Sequence, residues 1–247
     1  MEFIKITNAN IDNENFGCAL SNQEETMLKR DWLKDNLDKG YTFVKLNARG
    51  KVFIEYVPAK YAWAPIKADN YLFIDCFWVS GKYKKQGIGK ELLNKCLTQA
   101  RDEGYDGVVA ITSNKKKPFL SDPTFYKKQG FKVVDSLDPY YELVCYMFDE
   151  SYEKPSFIKN QQDYVLDEGI TIVYSNHCPW TKLYASKLIA IAENNKIATK
   201  LIQLNSYQEA QKMSNPFTSY AFYDDGNFIT NEIFSEKKLE KYLNEKR

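Results

Sequence analysis

The sequence lacks long apolar runs and carries almost no net charge. No stretch approaches the roughly 20 consecutive apolar residues that a membrane-spanning helix needs. The 34 basic and 33 acidic residues leave a formal net charge of +1, which indicates neither a nucleic-acid partner nor a membrane surface. The first residues, Met1–Thr7, alternate like a strand and lack the apolar core of a signal peptide. We therefore expect a cytoplasmic protein of one large or two small domains.

The sequence is also poor in metal ligands and paired thiols. It has one histidine and five cysteines, and no two cysteines form a Cys-x-x-Cys pair. Zinc sites and disulfide frameworks need paired spacings, so neither is expected. Cys76, Cys96 and Cys145 lie in apolar runs, where cysteine serves as a small buried hydrophobe.

What the sequence does contain is a strand, a short glycine loop and a helix in direct succession. Tyr71–Val79 is an apolar, β-branched and aromatic run, and Ile88–Ala100 has apolar residues at helical spacing. Gly87 and Gly89 lack a Cβ, so the backbone can turn tightly there and a ligand can approach it. The loop N–H groups and the first helical turn then point at one spot, which favours a phosphate. Four lysines add positive charge there: Lys82, Lys84, Lys85 and Lys90.

This loop resembles the pyrophosphate-binding loop of the GNAT superfamily of acyl-CoA-dependent N-acyltransferases. That pattern is Gln/Arg-x-x-Gly-x-Gly/Ala after a strand that ends in valine; here it reads Lys84-Lys85-Gln86-Gly87-Ile88-Gly89 after Val79. The Gly-Lys-Ser/Thr ending of a P-loop and the third glycine of a dinucleotide fingerprint are both missing. The resemblance implies that acetyl-CoA is the co-substrate and that residues 84–90, including Lys90, hold its pyrophosphate. The alternative for so short a motif is a plain glycine turn with solvated lysines.

A second block supports the same resemblance. Residues 121–131 resemble the Phe-Tyr-x-x-x-Gly-Phe signature of the superfamily, here from Phe125-Tyr126 to Gly130-Phe131. The asparagine and alanine that often precede this tyrosine in the family are absent, so the asparagine's contact with the cofactor is not implied here. Tyr126 matches the tyrosine that often acts as general acid toward the departing thiolate. The alternative is a core aromatic of a short helix.

The resemblance also implies how the strand before the loop serves the reaction. In the superfamily this strand splays from its neighbour, and its free backbone groups hold the pantetheine arm. Alignment on Val79 assigns those groups to Phe77 and Val79. The Phe77 N–H is then the candidate donor to the oxygen that gains negative charge during acetyl transfer.

Transfer to an amine also needs a base, because a protonated amine cannot attack. By strand alternation Asp75 shares a face with Phe73 and Phe77, and superfamily members often place their base at the matching position. Glu55, on the preceding strand, is the other candidate, and either carboxylate can instead be a paired structural group. We expect direct attack, in a ternary complex, by an amine of a small molecule or a peptide.

The order of elements suggests two folded parts. Residues 1–150 fit the mixed-sheet α/β fold of the superfamily, and residues 151–164 are a polar, charged stretch interpreted as a linker. Residues 165–247 follow a β-α-β-α-β-β-α order that resembles a small thioredoxin-like α/β domain. Cys178-Pro179 matches that family's reactive cysteine, and Pro216 matches its cis-proline loop. The whole chain resembles bacterial acetyltransferases of the YoaP-like group, which carry such an extension.

The extension departs from the redox family at Cys178-Pro-Trp-Thr181, because threonine replaces the resolving cysteine. A helix N-terminus favours a thiolate at Cys178, yet an internal dithiol cycle is impossible with one sulfur. Packing, dimerisation or substrate recognition are the favoured roles, and an acyl-CoA-binding thiol or redox protein acting through Cys178 is the alternative function. His177 makes a poor chelate with its neighbour, so no metal is expected. We therefore expect the acetyl-transfer machinery to lie wholly before the linker.

Overall fold

The computed structural model describes residues 1–15, 23–159 and 165–246. Its helices and strands are, in chain order, β1 (Phe3–Lys5), α1 (Gln23–Leu37), β2 (Thr42–Leu46), β3 (Val52–Pro58), β4 (Ile66–Lys67), β5 (Tyr71–Val79), α2 (Ile88–Asp102), β6 (Gly107–Ser113), α3 (Pro123–Lys128), β7 (Lys132–Leu137), β8 (Tyr141–Met147), β9 (Ser156–Phe157), β10 (Ile170–Ser175), α4 (Thr181–Asn194), β11 (Thr199–Leu204), α5 (Tyr207–Ala210), β12 (Tyr220–Asp224), β13 (Asn227–Thr230) and α6 (Glu236–Lys246). None of the helices in these ranges is long and apolar enough to cross a membrane.

The strands form two main sheets. Seven strands pair in the order β1-β2-β3-β5-β6-β8-β7, four pair in the order β11-β10-β12-β13, and β4 pairs with β9. We call the part built on the seven-stranded sheet the larger unit and the part built on the four-stranded sheet the smaller unit. The larger unit has the mixed α/β architecture predicted for it.

In the larger unit, β5 and β6 run parallel and α2 connects them, while the other neighbouring strands run antiparallel. The apolar positions of α2 are buried on one face of the sheet: Ile88, Leu92, Leu93, Cys96 and Ala100. Trp32 and Leu33 of α1 belong to a different core cluster, which contains the strand residues of opposite parity. Because successive strand residues point to opposite faces, α1 and α2 cover the two sides of the sheet.

A β-bulge interrupts the ladder between β3 and β5. Glu55 pairs with Cys76 and the next residue of β3 pairs with Ile74, so Asp75 is the extra residue. Before the bulge Phe73 packs on the α1 side, and after it Phe77 packs on the α2 side. The prediction that Asp75 shares a face with both phenylalanines is therefore wrong for Phe77, because an extra residue reverses the alternation.

The parallel pairing of β5 with β6 is short. It covers Tyr71–Ile74 opposite Gly107–Ala110, although β5 continues to Val79. Beyond Ile74 the two strands diverge, as the family resemblance implies. The divergent part of β5 contains Asp75, Phe77 and Val79, and it leads directly into the glycine loop.

Part of the predicted linker packs onto the larger unit. β9 pairs with β4, and Phe157 is buried. The Phe157 N–H donates to Asp135 Oδ2 at 2.9 Å, and Lys159 Nζ lies 2.9 Å from Asp135 Oδ1. Residues 151–159 therefore follow the surface of the larger unit, and the rest of the predicted linker, residues 160–164, lies outside the described residues.

In the smaller unit, β10 and β11 run parallel and β12 and β13 complete the sheet in antiparallel fashion. α4 connects the parallel pair. Helices α4 and α6 cover one face, where Leu188 and Leu239 are fully buried beside Ile172 and Phe222. The other face carries Val173 and Tyr223, which belong to the same core cluster as the α1 side of the larger unit.

The two units thus share a core, and hydrogen bonds cross between them. Tyr140 Oη donates to Asn231 Oδ1 at 2.5 Å, and Tyr141 Oη donates to Asn215 Oδ1 at 3.1 Å. The Thr218 hydroxyl donates to the Trp63 carbonyl oxygen. Such a junction, apolar in the middle and with satisfied polar groups, makes the smaller unit a fixed neighbour of the larger one.

Pro216 does not follow the prediction of a cis-proline loop. Within the described ranges Asp138–Pro139 is the one cis peptide bond, so the bond before Pro216 is trans. The trans form is the default for proline by about 0.5–1 kcal/mol. The preceding Asn215 instead closes a local turn, because its Oδ1 accepts the Phe217 N–H at 2.8 Å.

Candidate active site

The loop after β5 leads into the exposed start of α2. Gly87 is the N-cap residue of this helix, with φ +81° and ψ −12°, and no side chain caps the helix. Glycine adopts this left-handed conformation without steric cost. A Cβ at Gly87 meets no atom within 4 Å, so the backbone faces open space. The exposed side chains of Lys84 and Lys85 precede it. A helix start with uncapped N–H groups and nearby lysines suits a diphosphate.

Gly89 brings the loop against the second sequence block. A Cβ built there lies 3.4 Å from the Phe125 ring and 3.5 Å from Phe77 and Val79. The first turn of α2 therefore packs closely on both the end of β5 and the start of α3. The two blocks recognised in the sequence are neighbours in the fold.

Tyr126 is fully buried behind this loop. Its ring packs against Phe131 at 5.0 Å and Phe77 at 6.3 Å between centroids. Burial raises the pKa of Tyr126, and Ser121 offsets only part of that effect. The hydroxyl has no partner in hydrogen-bond geometry among the described residues. A buried hydroxyl without a well-formed hydrogen bond costs about 1–3 kcal/mol. Ser121 is near but outside hydrogen-bond geometry, so the protonated Tyr126 hydroxyl is able to donate to a ligand.

On the α1 side of the sheet, Glu55 is the centre of a buried polar cluster. Lys29 Nζ donates to Glu55 Oε2 at 2.6 Å, and Tyr41 Oη donates to the same oxygen at 2.7 Å. The Lys29 ammonium also lies 4.4 Å from the centroid of the Trp32 ring. Burial by itself raises the pKa of Glu55, but the Lys29 ammonium and the hydrogen bond from His177 outweigh it and lower that pKa to about 2. Glu55 is therefore an ionised, paired carboxylate.

Asp75 lies beside Glu55, but positive neighbours offset the burial of its carboxylate less than they do for Glu55. Tyr41 Oη, which donates to Glu55, also lies 3.0 Å from Asp75 Oδ2, so this hydroxyl lies between the two carboxylates. Burial raises the pKa of Asp75, and this effect exceeds the opposing attraction of His177 and Lys29. The surroundings thus lower the pKa of Glu55 and raise the pKa of Asp75. A base works best when its pKa is near the working pH, so this difference favours Asp75.

His177, a residue of the smaller unit, belongs to this cluster. Its Nε2 lies 3.3 Å from Glu55 Oε2 and 3.6 Å from Asp75 Oδ2. Its Nδ1 hydrogen-bonds with Ser219 Oγ at 2.8 Å. The expectation that all proton-transfer candidates lie before the linker did not anticipate this contact.

The predicted site residues therefore separate into two groups. The loop at Gly87 and the Tyr126 hydroxyl lie on the α2 side of the sheet, and Asp75 and Glu55 lie on the α1 side. The place where β5 diverges from β6 lies between them. Backbone groups of Phe77 and the following residues line this divergence.

Four residues of the cluster did not emerge from the sequence: Lys29, Tyr41, Trp32 and Ser219. They come from α1, from the residue before β2 and from the residue before β12. No local sequence pattern connects the residues of the cluster, because they come from distant segments. His177 and Glu55, for example, are 122 positions apart. Only the packing of the smaller unit on the larger one brings them together.

Cys178 follows His177 directly in the sequence. It is half-buried and forms no disulfide, and the fully buried Thr181 occupies the place of a second cysteine. The Thr181 hydroxyl lies 2.6 Å from the Ser175 carbonyl oxygen and 2.8 Å from that of Cys178. Cys96 and Cys145 are buried, and burial raises the pKa of Cys145 to about 12. Within the described ranges, no group of three or more His, Cys, Asp or Glu side chains is arranged to hold a metal ion.

Two protein-family models match the chain. The model described as "Acetyltransferase (GNAT) family" matches residues 8–131, and the model described as "YoaP-like" matches residues 199–241. A curated relative from Bacillus subtilis (strain 168), "Uncharacterized N-acetyltransferase YoaP", is 40% identical over 249 residues and is matched over 99% of both chains.

Solved structures of similar proteins include a GNAT-family acetyltransferase from Staphylococcus aureus Mu50. It is 18% identical, with a TM-score of 0.42, and the match covers 60% of this chain and 99% of that chain. Another is a GNAT-family acetyltransferase from Brucella melitensis in complex with acetyl-CoA. It is 15% identical, with a TM-score of 0.39, and the match covers 62% of this chain and 91% of that chain.

Proposed function

Because the chain belongs to the GNAT acetyltransferase family, we propose that it transfers the acetyl group of acetyl-CoA to an amine. The observation that carries this proposal is the convergence of three features at the end of β5. These are the open helix start at Gly87, the divergence of β5 from β6, and the buried hydroxyl of Tyr126 that lacks an acceptor. The Bacillus relative is named an N-acetyltransferase, and the Brucella structure contains acetyl-CoA.

Acetyl-CoA enters from the α2 side in this proposal. Its pyrophosphate binds the loop Lys84–Lys90, where backbone N–H groups of Gln86, Gly87, Ile88 and Gly89 supply donors and the lysines supply charge. The pantetheine arm follows the divergent part of β5, along the backbone of Phe77 and Val79. The Phe77 N–H donates to the acetyl oxygen as negative charge develops there.

Tyr126 acts as the general acid. Its hydroxyl is protonated at neutral pH and lacks a partner, so the sulfur of acetyl-CoA is the acceptor that satisfies it. Proton donation lowers the barrier for departure of the CoA thiolate. Phe77 packs on Tyr126, so the acid lies next to the strand that holds the acetyl group.

Asp75 acts as the general base on the other side of the divergence. Glu55, with its pKa near 2 and its ion pair to Lys29, is too weak a base at neutral pH. Asp75 has a raised pKa and lies 3.0 Å from the Tyr41 hydroxyl, so it is the stronger base of the two carboxylates. The amine attacks the acetyl carbon, and its proton passes to Asp75.

For the smaller unit we propose a thioredoxin-like fold without redox activity. Support comes from the parallel β10–β11 pair followed by the antiparallel β12 and β13, with α4 between the parallel strands. The trans bond before Pro216 and the buried Thr181 are departures from the redox type. The thiol-protein alternative is not favoured, because Cys178 has no second thiol at the helix start to resolve a disulfide.

The proposal is tested by following CoA thiol release with a chromogenic disulfide reagent. Acetyl-CoA is offered with a panel of primary amines, amino acids and short peptides, and acetylated products are identified by mass. We expect release that depends on both acetyl-CoA and at least one amine. Release that no amine stimulates, together with no acetylated product, contradicts the proposal.

A further inference from the structure

His177 meets the two carboxylates inside the junction between the units. The side chains of Glu55, His177 and Asp75 are 3%, 6% and 8% exposed. Nε2 of His177 is within 3.6 Å of an oxygen of each carboxylate. Docking of the smaller unit therefore places a basic group directly on the candidate base of the larger unit.

The fold holds this imidazole in place from several sides. Ser219 Oγ hydrogen-bonds to its Nδ1 at 2.8 Å, and the Ser175 N–H donates to the Ser219 carbonyl oxygen at 3.3 Å. The ring also packs 5.0 Å from Trp32 and 6.4 Å from Tyr41 between centroids. An imidazole with its Nδ1 fixed in this way presents Nε2 to the carboxylates in one orientation.

The charged groups around Asp75 determine how readily its carboxyl group ionises. The groups that face Asp75 are Lys29 from α1, Tyr41, Glu55 from β3, and His177 from the loop after β10. Two neighbouring buried carboxylates resist simultaneous ionisation unless each has a positive partner. Lys29 is the partner of Glu55 at 2.6 Å. Among the described residues, the imidazole at 3.6 Å is the basic group that most favours a negative charge on Asp75, ahead of Lys29.

We infer that His177 is a positioning residue for Asp75, so that both units complete the amine-accepting side of the site. This inference rests on the proposed function, because it assigns Asp75 the role of base. The imidazole favours the ionised, proton-accepting form of the carboxylate and holds it against Tyr41. The smaller unit is then a part of the catalytic machinery rather than a separate module.

The first test is the pH dependence of kcat/KM in the full-length chain, measured with one amine from the panel. His177→Gln keeps a donor but cannot carry a charge, so we expect the acid limb of the profile to move to higher pH. A limb that moves by one pH unit lowers the rate at a fixed acid pH by about tenfold. At pH values above the acid limb, the kcat/KM of His177→Gln should return to the wild-type value. The amine is the same in both enzymes, so its own titration cancels.

A matched control separates this effect from a weakened junction. Asn231→Ala removes the buried bond from Tyr140 and no charge, so it should lower stability and leave the acid limb in place. An unchanged limb in His177→Gln, or an equal loss of rate at every pH in a folded variant, overturns the inference.

A second measurement needs neither activity nor a His177 variant. The chain has one histidine, so its imidazole Cε1–H signal is unambiguous in a carbon–proton NMR spectrum. We expect the pH response of this signal to differ between wild type and Asp75→Asn, and to be unchanged in Asp35→Asn on the surface. Identical responses in wild type and Asp75→Asn overturn the inference. Absence of amine-dependent CoA release in wild type instead contradicts the proposed function, and the NMR coupling is then still measurable.

Discussion

The buried ion pair between Lys29 and Glu55 allows a quantitative prediction. Both side chains are nearly inaccessible, at 1% and 3% exposure. Replacing Lys29 by methionine keeps the apolar stem and removes the ammonium, which leaves a buried carboxylate beside Asp75. Breaking a buried pair in this way costs about 3–5 kcal/mol of unfolding free energy. The lowered pKa of Glu55 gives a similar size, since a fall from about 4.3 to about 2 corresponds to about 3 kcal/mol.

The assay is equilibrium unfolding in urea at pH 7, followed by tryptophan fluorescence. The double variant Lys29→Met/Glu55→Gln should recover much of the loss, because no unpaired charge remains. Lys34→Met is the matched control on the same helix; its partner Asp12 is exposed, so the loss should stay below about 1 kcal/mol. A loss in Lys29→Met no larger than in Lys34→Met refutes this reasoning.

The same pair predicts a pH dependence with a definite sign. The folded-state pKa of Glu55 lies below its unfolded value, so its contribution is fully present above about pH 4.3. That contribution should be lost as the pH falls from there toward about 2. The corresponding slope in unfolding free energy should be absent in Glu55→Gln.

Three further predictions concern the site and the junction. Tyr126→Phe should lower kcat by about 10²-fold with little change in acetyl-CoA affinity. It should not lower the melting temperature, because it removes a buried hydroxyl without a partner. A melting temperature that falls together with kcat contradicts the role of Tyr126 as the acid. Cys178→Ser should keep most of the acetyltransferase activity, and the wild-type chain should be inactive in an insulin-reduction assay; loss of acetyl transfer in a folded Cys178→Ser variant makes the thiol part of the site. A chain that ends at residue 159 should lose cooperative unfolding, because it exposes the core shared with Val173 and Tyr223; a sharp transition in that chain contradicts a shared core.

Local signals in the sequence were sufficient for most elements and for the cofactor loop. The predicted strand from Tyr71 to Val79 matches the observed bounds, and the helix predicted from Ile88 begins at that residue. Gly87, at the start of α2, and Gly130, just after α3, both take the left-handed conformation that glycine adopts readily. These features depend on residues close in sequence, which is why a pattern predicts them.

Features that depend on pairing between distant segments were missed. The bulge at Asp75 arises from the register of β5 against β3, and β5 has no glycine or proline that marks it. β9 is only two residues long, and its partner β4 is remote. Nothing local in the sequence connects His177 to Glu55, which lies 122 positions away, so the sequence does not predict their contact. The chemistry of the α1 side is a product of the junction between the units.

The measurement that tests the central claim most directly is calorimetric titration of acetyl-CoA into wild type, Gly87→Asn and Gly87→Asp. Asparagine and aspartate both tolerate the left-handed backbone at this position, and they differ in charge. We predict that the aspartate variant binds acetyl-CoA at least about tenfold more weakly than the asparagine variant, a difference of about 1.4 kcal/mol. Equal affinities in the two variants contradict the placement of the pyrophosphate at the start of α2.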